Sequence, residues 1–323
     1  MIVLGLAAFA QALPSFSQQG RATRRVGFLY FGSRQSAMAT GRYKAFLDGM
    51  REQGYVAGRD FTLEERFAAG NTEALAAAAR ELVRLKVEVI VATGSQAVLA
   101  AQNATSYVPI VVTQVADPIA EGFAVSLVRP GRNITGTYSS SLEIVSKQIE
   151  LFQLLLPNLS LMAVLGNPGN GSHAAALKAA ESFAAQARIK VQSLQARTQD
   201  DIDGAFDSMS RQRSQALLVF ADTFLLSQAP QISELALKHR LPIMGWTREF
   251  AAAGGLMSYG QDAIDNFRFA AGYVNKIFNG ANPAELPFSR TPKISLTINR
   301  RTFRALGLTL PREIESRVNE VLE

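Results

Sequence analysis

The run from Val108 to Ser140, VPIVVTQVADPIAEGFAVSLVRPGRNITGTYSS, constrains the fold of this chain more than any other stretch. Pro109 opens it, and Ile110, Val111 and Val112 follow as a continuous β-branched run. A segment apolar at every position suits a strand buried on both faces of a parallel sheet. Polar character returns abruptly at Thr113, Gln114, Asp117 and Pro118, where the strand ends. In open α/β sheets ligands bind outside the carboxyl ends of the strands, so this turn marks a candidate site. Turn-rich Arg129-Pro130-Gly131-Arg132-Asn133 comes next. The β-prone Ile134-Thr135-Gly136-Thr137-Tyr138 then reads as the chain crossing from one lobe to another.

The same grammar returns at Leu241-Pro242-Ile243-Met244-Gly245-Trp246-Thr247-Arg248-Glu249, again a Pro-Ile strand start with a polar and aromatic end. Each Pro-Ile strand is preceded by a matching unit of strand, small polar turn and helical run. One is Val87–Val91 followed by Ala92-Thr93-Gly94-Ser95; the other is Ala216–Phe220 followed by Ala221-Asp222-Thr223. The pattern is an internal repeat. Two similar α/β halves joined by crossovers bring their strand-end loops face to face, with a cleft between them.

Length agrees: 323 residues fit about two domains. The absence of cysteine excludes a disulfide framework, a thiolate nucleophile and a Cys-ligated metal, and two histidines leave little material for metal or His-based acid–base chemistry. The net charge of +6 is scattered, with Arg24-Arg25 and Arg300-Arg301 the only tight basic pairs. No basic stripe interleaves with aromatics, so nucleic acid is not an expected partner. Residues 1–17 resemble a secretory signal: Ile2 to Leu13 is mostly apolar, and Ser15-Phe16-Ser17 has the small-x-small form of a cleavage site. The basic residues that usually precede such a run are missing. No other stretch is long and apolar enough to span a membrane.

Several strand ends carry residues suited to a ligand. Val26 to Phe31 is the first strand, and Gly32-Ser33-Arg34-Gln35-Ser36 follows it. Small polar residues at a strand-to-helix turn offer amides and hydroxyls to a carboxylate; Ser33 serves equally as a plain helix cap. Thr93, Ser95 and Gln96 occupy the corresponding turn after the Val87–Val91 strand. Asn167, in Gly166-Asn167-Pro168-Gly169, offers an amide or belongs to ordinary turn chemistry. Asp222 either pairs with a substrate ammonium or caps the helix after it. Trp246, the only tryptophan, suits an aromatic wall or lobe packing. His173, opening a helix, reads as a surface or capping residue. His239, ending the helix Gln231–Arg240, suits the negative end of a helix dipole. Pro283 to Lys293 reads as extended, Pro-rich chain forming the third crossover, with hinge points near Thr137-Tyr138, Tyr259-Gly260 and Pro287. Strand and helix assignments fill the rest, among them helices over Gly41–Gln53, Asn71–Lys86, Glu143–Leu156 and Asp262–Phe278.

The middle and the tail carry a resemblance. The motifs are Asp117-Pro118-Ile119-Ala120-Glu121-Gly122 and Arg129-Pro130-Gly131-Arg132-Asn133-Ile134-Thr135-Gly136, then Gly260-Gln261-Asp262 and Ile277-Phe278-Asn279-Gly280-Ala281-Asn282-Pro283. Leu286-Pro287 and Ile298-Asn299-Arg300-Arg301-Thr302-Phe303-Arg304-Ala305-Leu306-Gly307-Leu308 complete them. Together they resemble the ABC-transporter substrate-binding family typified by tryptophan- and tyrosine-associated binding proteins. The resemblance covers nearly all of the chain after residue 24. It implies an α/β fold of the type I periplasmic-binding-protein kind: two Rossmann-like lobes with parallel-sheet cores, three crossover segments and a ligand cleft between the lobes. On this reading lobe I is 24–137 plus 260–290, and lobe II is 138–259 plus 291–323. By motif position the cleft residues are Ser33, Thr93, Ser95, Gln96, Asp117, Tyr138, Asn167, Asp222, Trp246 and Glu249. In Ala221-Asp222-Thr223-Phe224 a threonine follows the aspartate where amino-acid binders carry Asn. Amino acids and amine-free aromatic or branched acids therefore both remain open as ligands.

The resemblance implies a periplasmic, monomeric solute-binding component that closes on a small carboxylate-bearing ligand, needs no cofactor and presents it to an ABC permease in the inner membrane. The alternative is a ligand-sensing regulator or sensor subunit with the same fold and no transport role. A repressor would need an N-terminal helix-turn-helix, and the residues before the first strand read as a signal instead. No GxSxG, HExxH, P-loop or GxGxxG stands in a fitting context. Adjacent Glu64 and Glu65 lie on a strand and point to opposite faces, so an enzyme is not expected.

Overall fold

The computed structural model describes residues 23–139, 141–290 and 293–323; the expected signal peptide, 1–17, lies outside them. The first part runs β1 (Arg24–Tyr30), α1 (Arg34–Ala39), α2 (Arg42–Glu52), β2 (Phe61–Phe67), α3 (Thr72–Arg84), β3 (Val89–Thr93), α4 (Gly94–Ala104), β4 (Ile110–Val115) and β5 (Ile134–Tyr138). The second runs α5 (Ser141–Leu155), β6 (Leu161–Gly166), α6 (His173–Gln186), β7 (Lys190–Gln195), α7 (Gln199–Gln212), β8 (Ala216–Val219), α8 (Thr223–Ser227), α9 (Ala229–Lys238), β9 (Ile243–Gly245), α10 (Arg248–Ala252) and β10 (Met257–Gln261). The chain closes with α11 (Ala263–Phe278), β11 (Ser289–Arg290), β12 (Ile294–Asn299), α12 (Arg300–Leu306), α13 (Arg312–Glu315) and β13 (Glu320–Leu322).

Two sheets result, in the orders β11-β5-β4-β3-β1-β2 and β13-β12-β10-β9-β8-β6-β7. Every pairing is parallel except β10 with β12. Central strands such as β3 and β8 are rich in apolar residues because helices cover both faces; all of β3 is buried. Alternate residues sort to opposite sides of each sheet. In the first, Leu29, Ile90 and Val112 pack with the α3 and α4 side, whereas Phe28, Val91 and Val111 meet Phe46, Phe267 and Val274. In the second, Val164, Leu218 and Met244 pack toward α5 and α6, and Leu165, Leu217 and Ile243 pack toward α7 and α9.

Helix boundaries follow local chemistry. Asn71 caps α3 by accepting from Ala74 N at 2.8 Å, and its buried face is Leu75, Ala79 and Leu82. Thr198 and Asp201 form a reciprocal capping box on α7. Between β4 and β5 the register shifts from Val112 to Val115. Gly136 sits opposite the shift at φ 141°, and a Cβ there would overlap the Val112 carbonyl oxygen. An irregularity of this kind bends the strand locally near its carboxyl end.

Three passages join the lobes: after β5, after β10, and between Arg290 and Lys293. The described residues that flank them lie side by side, since Gln261 Nε2 donates to Tyr138 O (2.9 Å) and Asp262 N donates to Lys293 O (3.1 Å). The third passage is not at Pro287. Tyr273 Oη donates to Pro287 O (2.7 Å) and Phe288 N to Leu127 O (2.8 Å), which holds that proline in the first lobe. Nor is Pro283–Lys293 extended throughout, because Asn282 caps a 3-10 turn at Pro283–Glu285. The strand expected at Val87–Val91 runs later, at β3, because Lys86 (φ 55°) forms the turn that ends the preceding helix. Short α1, α10, α13 and β13 do not stand out in the sequence; none of the helices spans two turns and β13 has only three residues, too few to leave a readable period. Among the described residues no helix is long and apolar enough to cross a membrane.

Candidate functional site

The carboxyl ends of both sheets face one another across a cavity. Its empty space amounts to about 890 Å3, open mouth included. From the first lobe come Arg42, the β3–α4 junction at Thr93 to Ser95, and Val115 and Ala116 at the end of β4. From the second come Ile144, Val145 and Gln148 of α5, Asn170, Ser172 and His173, the β8–α8 turn and Trp246. Ser139 and Gln261, at two of the passages, complete the wall. Val115, Ile144, Val145, Val219, Phe220, Leu226 and Trp246 make most of it apolar, a composition suited to holding a small organic body.

Asp222 is the polar hub. Its side chain is buried and caps α8, with Oδ1 accepting from Phe224 N (2.8 Å) and Leu225 N (3.1 Å). Oδ1 also accepts from Asn167 Nδ2 (3.1 Å), and Oδ2 accepts from Asn170 Nδ2 (3.2 Å) and Gln96 Nε2 (2.6 Å). The last bond crosses the cleft, from the first lobe to the second. All five of these donors are neutral backbone or side-chain amide groups.

Gly94 brings the lobes into contact beside that bond. Its φ of 78° is left-handed, and a Cβ at this position would collide with Thr223 Oγ1 of the opposite lobe. Thr93, the N-cap of α4, makes no side-chain cap bond. The first turn of an 11-residue helix therefore opens on the cavity without its own hydroxyl cap, an arrangement that favours an anion.

A second contact crosses the cleft. Arg42 on α2 is 1% exposed; its Nη2 donates to Glu249 Oε1 on α10 (2.7 Å) and its Nη1 to Tyr30 Oη (3.3 Å). Burial works to lower the Arg42 pKa, but Glu249 and Tyr30 outweigh it and hold it above its ordinary value. Burial likewise pushes the Glu249 carboxyl upward, and the charge of Arg42 together with hydrogen bonds from the backbone, Thr247 and Arg42 outweighs it to leave that group below its ordinary value. Arg42 Nε is buried without a partner.

His173 departs from the expectation of a surface or capping residue. It is 7% exposed, lines the cavity and packs against Phe220. Its Nδ1 accepts from Asn167 N (2.7 Å) and its Nε2 lies 3.0 Å from Ala221 O. An acceptor at one nitrogen and a donor at the other define the neutral ring with hydrogen on Nε2. Burial lowers its pKa, and the start of α6 disfavours a cation there. His239 caps α9, its Nδ1 2.7 Å from Ser210 Oγ.

Of the residues expected at the cleft, Thr93, Ser95, Asp222 and Trp246 line the cavity. Gln96 and Asn167 join it through Asp222, and Glu249 through Arg42. Three others are not part of its lining. Ser33 caps α1 by accepting from Ser36 N (3.1 Å). Asp117 Oδ1 accepts from Ile119 N and Ala120 N (both 3.0 Å) and shapes the turn after β4. Tyr138 contributes its carbonyl to the passage bond from Gln261.

Arg42, Gln148, Asn170 and His173 were not foreseen as lining residues. Two of them left a signal. Arg42 precedes Ala45, Phe46, Gly49 and Met50, and His173 precedes Ala176, Ala180 and Ala184, so each polar residue continues an apolar helix face. A charged or titratable group on a buried stripe is the feature to look for.

The family model for ABC transporter substrate binding proteins matches residues 33–322. A tyrosine-binding protein of Clostridioides difficile is 24% identical over 266 residues, which is 82% of this chain and 76% of that protein. A conserved domain protein from Vibrio cholerae superposes with a TM-score of 0.85 at 26% identity, over 93% of this chain and 99% of its own. An ABC domain from Streptococcus pneumonia in complex with L-Trp gives the same TM-score at 22% identity, over 93% and 100% of the two chains. The two-lobed α/β architecture is that of the type I periplasmic binding proteins, and the chain belongs to the ABC transporter substrate-binding protein family.

Proposed function

We propose that this protein is the exported, periplasmic solute-binding component of an ABC importer. It works as a monomer that closes its lobes on a small carboxylate-bearing solute with an aromatic or branched body and offers the closed form to a membrane permease. One observation carries the reading. A mostly apolar cavity lies between the lobes at the carboxyl ends of both sheets, with the first turn of α4 open to it. Helix-start amides and the hydroxyls of Thr93 and Ser95 suit the carboxylate. Ile144, Val145, Phe220 and Trp246 suit the body. Lobe closure would turn on the three neighbouring passages. The tyrosine-binding and L-Trp-bound relatives support an aromatic amino acid as the first candidate.

A second reading, an aromatic or branched acid with no amine, is favoured by Asp222. Its two oxygens already accept five hydrogen bonds, leaving an ammonium to displace Gln96 or Asn170 from Oδ2.

Thermal denaturation tests both readings. The protein is screened with L-tyrosine, L-tryptophan and L-leucine beside phenylpyruvate, indole-3-acetate and 4-methyl-2-oxopentanoate. A solute at 100 times its Kd stabilises the fold by about 2.7 kcal/mol. Stabilisation by amino acids that is lost in Asp222→Ala and in Asp222→Asn, which keeps an oxygen for the helix start, supports ammonium pairing. Stabilisation by the amine-free acids alone supports the second reading and leaves Asp222 as a cap. No stabilisation by any of them contradicts both.

A further inference from the structure

Arg42 is almost fully enclosed and lines the cavity, yet its buried Nε–H has no acceptor among the described residues. Buried donors are nearly always satisfied, and leaving one unmade is costly. The other contacts of this side chain fix it firmly, with Tyr30 Oη on Nη1 and Glu249 on Nη2. Arg42 is also the one Lys or Arg among the described residues that line the cavity.

Its place in the sheet matters. Tyr30, at the end of β1, is the register partner of Thr93, the residue from which α4 starts. Neighbouring strands lie about 4.8 Å apart, so the anchor of Arg42 and the open first turn of α4 stand side by side on the first lobe. A helix start and a guanidinium attract the same kind of group.

We propose that Arg42 donates its free Nε–H to the carboxylate of the bound solute, forming with the first turn of α4 one anion station on the first lobe. The inference rests on the carboxylate reading above and adds the residue that selects for it. A charged donor meeting a carboxylate makes a bond roughly twice as strong as one between neutral groups, so Arg42 separates acids from their amides. Glu249, on the opposite lobe and 24% exposed at its side chain, is a positioning residue: it holds the guanidinium in place when the lobes are together. One side chain thereby touches solute and opposite lobe at once.

The test is calorimetric titration with two pairs of probes that differ only at the carboxyl: L-tyrosine with L-tyrosinamide, and phenylacetate with phenylacetamide. The quantity read is the ratio of affinities within each pair. A partly unfolded variant lowers both members equally and leaves that ratio intact. In the unmodified protein the acid is preferred. Arg42→Lys keeps the positive charge but loses the planar Nε–H, and the preference falls by about tenfold or more; Arg42→Gln does the same. Glu249→Gln weakens both members of a pair alike. Arg51→Gln removes an exposed charge from the same helix and keeps the ratio. An unchanged ratio in Arg42→Lys and Arg42→Gln overturns the inference while the carboxylate reading stands. A ratio that collapses equally in Glu249→Gln assigns the effect to the interlobe pair and overturns direct contact. Failure of both acids to bind the unmodified protein removes the carboxylate reading and this inference together.

Discussion

His173 binds two backbone groups through a neutral ring, accepting from Asn167 N and donating to Ala221 O, and that arrangement sets a pH dependence. Burial places its folded pKa below the ordinary value, so the unfolded chain binds this proton first as pH falls. Stability from this residue is complete above about pH 6.5, the ordinary His value, and is lost as pH drops through the window down to the depressed folded value. The slope there approaches about 1.4 kcal/mol per pH unit. Urea unfolding across that window should show the decline, and His173→Gln should flatten it; an equal slope in the variant would place the titration elsewhere. The identity of this residue was plain in the sequence, but its burial was not. A histidine at a helix start looks like a cap, and only its alignment with Ala176, Ala180 and Ala184 gives the buried face away. Arg42 was hidden in the same way, by the charged neighbours Lys44 and Arg51 that do face water.

At the level of elements, the Pro-Ile strands β4 and β9 and their upstream partners β3 and β8 were legible because short apolar runs there are bounded by proline and small polar turns. Their pairing as parallel neighbours follows from the crossover helices between them. The short α1 and α10 were not legible, although α10 presents Glu249 to the cleft, because such pieces are defined by what they pack against. The junction of β3 and α4 yields a test of closure. Gly94→Ala meets a left-handed backbone, costing about 1–2 kcal/mol, and a collision with Thr223 Oγ1 on the other lobe. Binding of whichever acid stabilises the protein should weaken by about tenfold or more, the equivalent of about 1.4 kcal/mol. Adding Thr223→Ala removes the colliding oxygen and should restore binding while the backbone cost to stability remains. Unaltered affinity in Gly94→Ala, or no recovery in the double variant, would show that the lobes need not approach at this point to hold the solute.

Across the whole molecule, the two-lobed fold was readable and the wiring of the cleft was not. The bonds that tie the lobes join residues 126 positions apart (Gln96 with Asp222) and 207 positions apart (Arg42 with Glu249). No local period or motif marks such partners; they meet only once both sheets have formed and turned their strand ends inward. The same distance explains why Asp222 kept two readings in the sequence: its role as a helix cap is local, whereas its bond to Gln96 depends on the opposite lobe. These interlobe bonds, with the mostly apolar cavity beside them, suit the proposed solute held between the lobes by its carboxylate. Calorimetric titration of L-tyrosine, L-tryptophan and phenylpyruvate, with L-tyrosinol and D-glucose as probes lacking a carboxylate, measures this directly. The expected result is saturable binding of one solute per chain for at least one acid, with a Kd near micromolar, about −8 kcal/mol, a negative heat-capacity change from apolar burial, and no binding of L-tyrosinol or glucose. Binding of L-tyrosinol or glucose in preference to all three acids would contradict it.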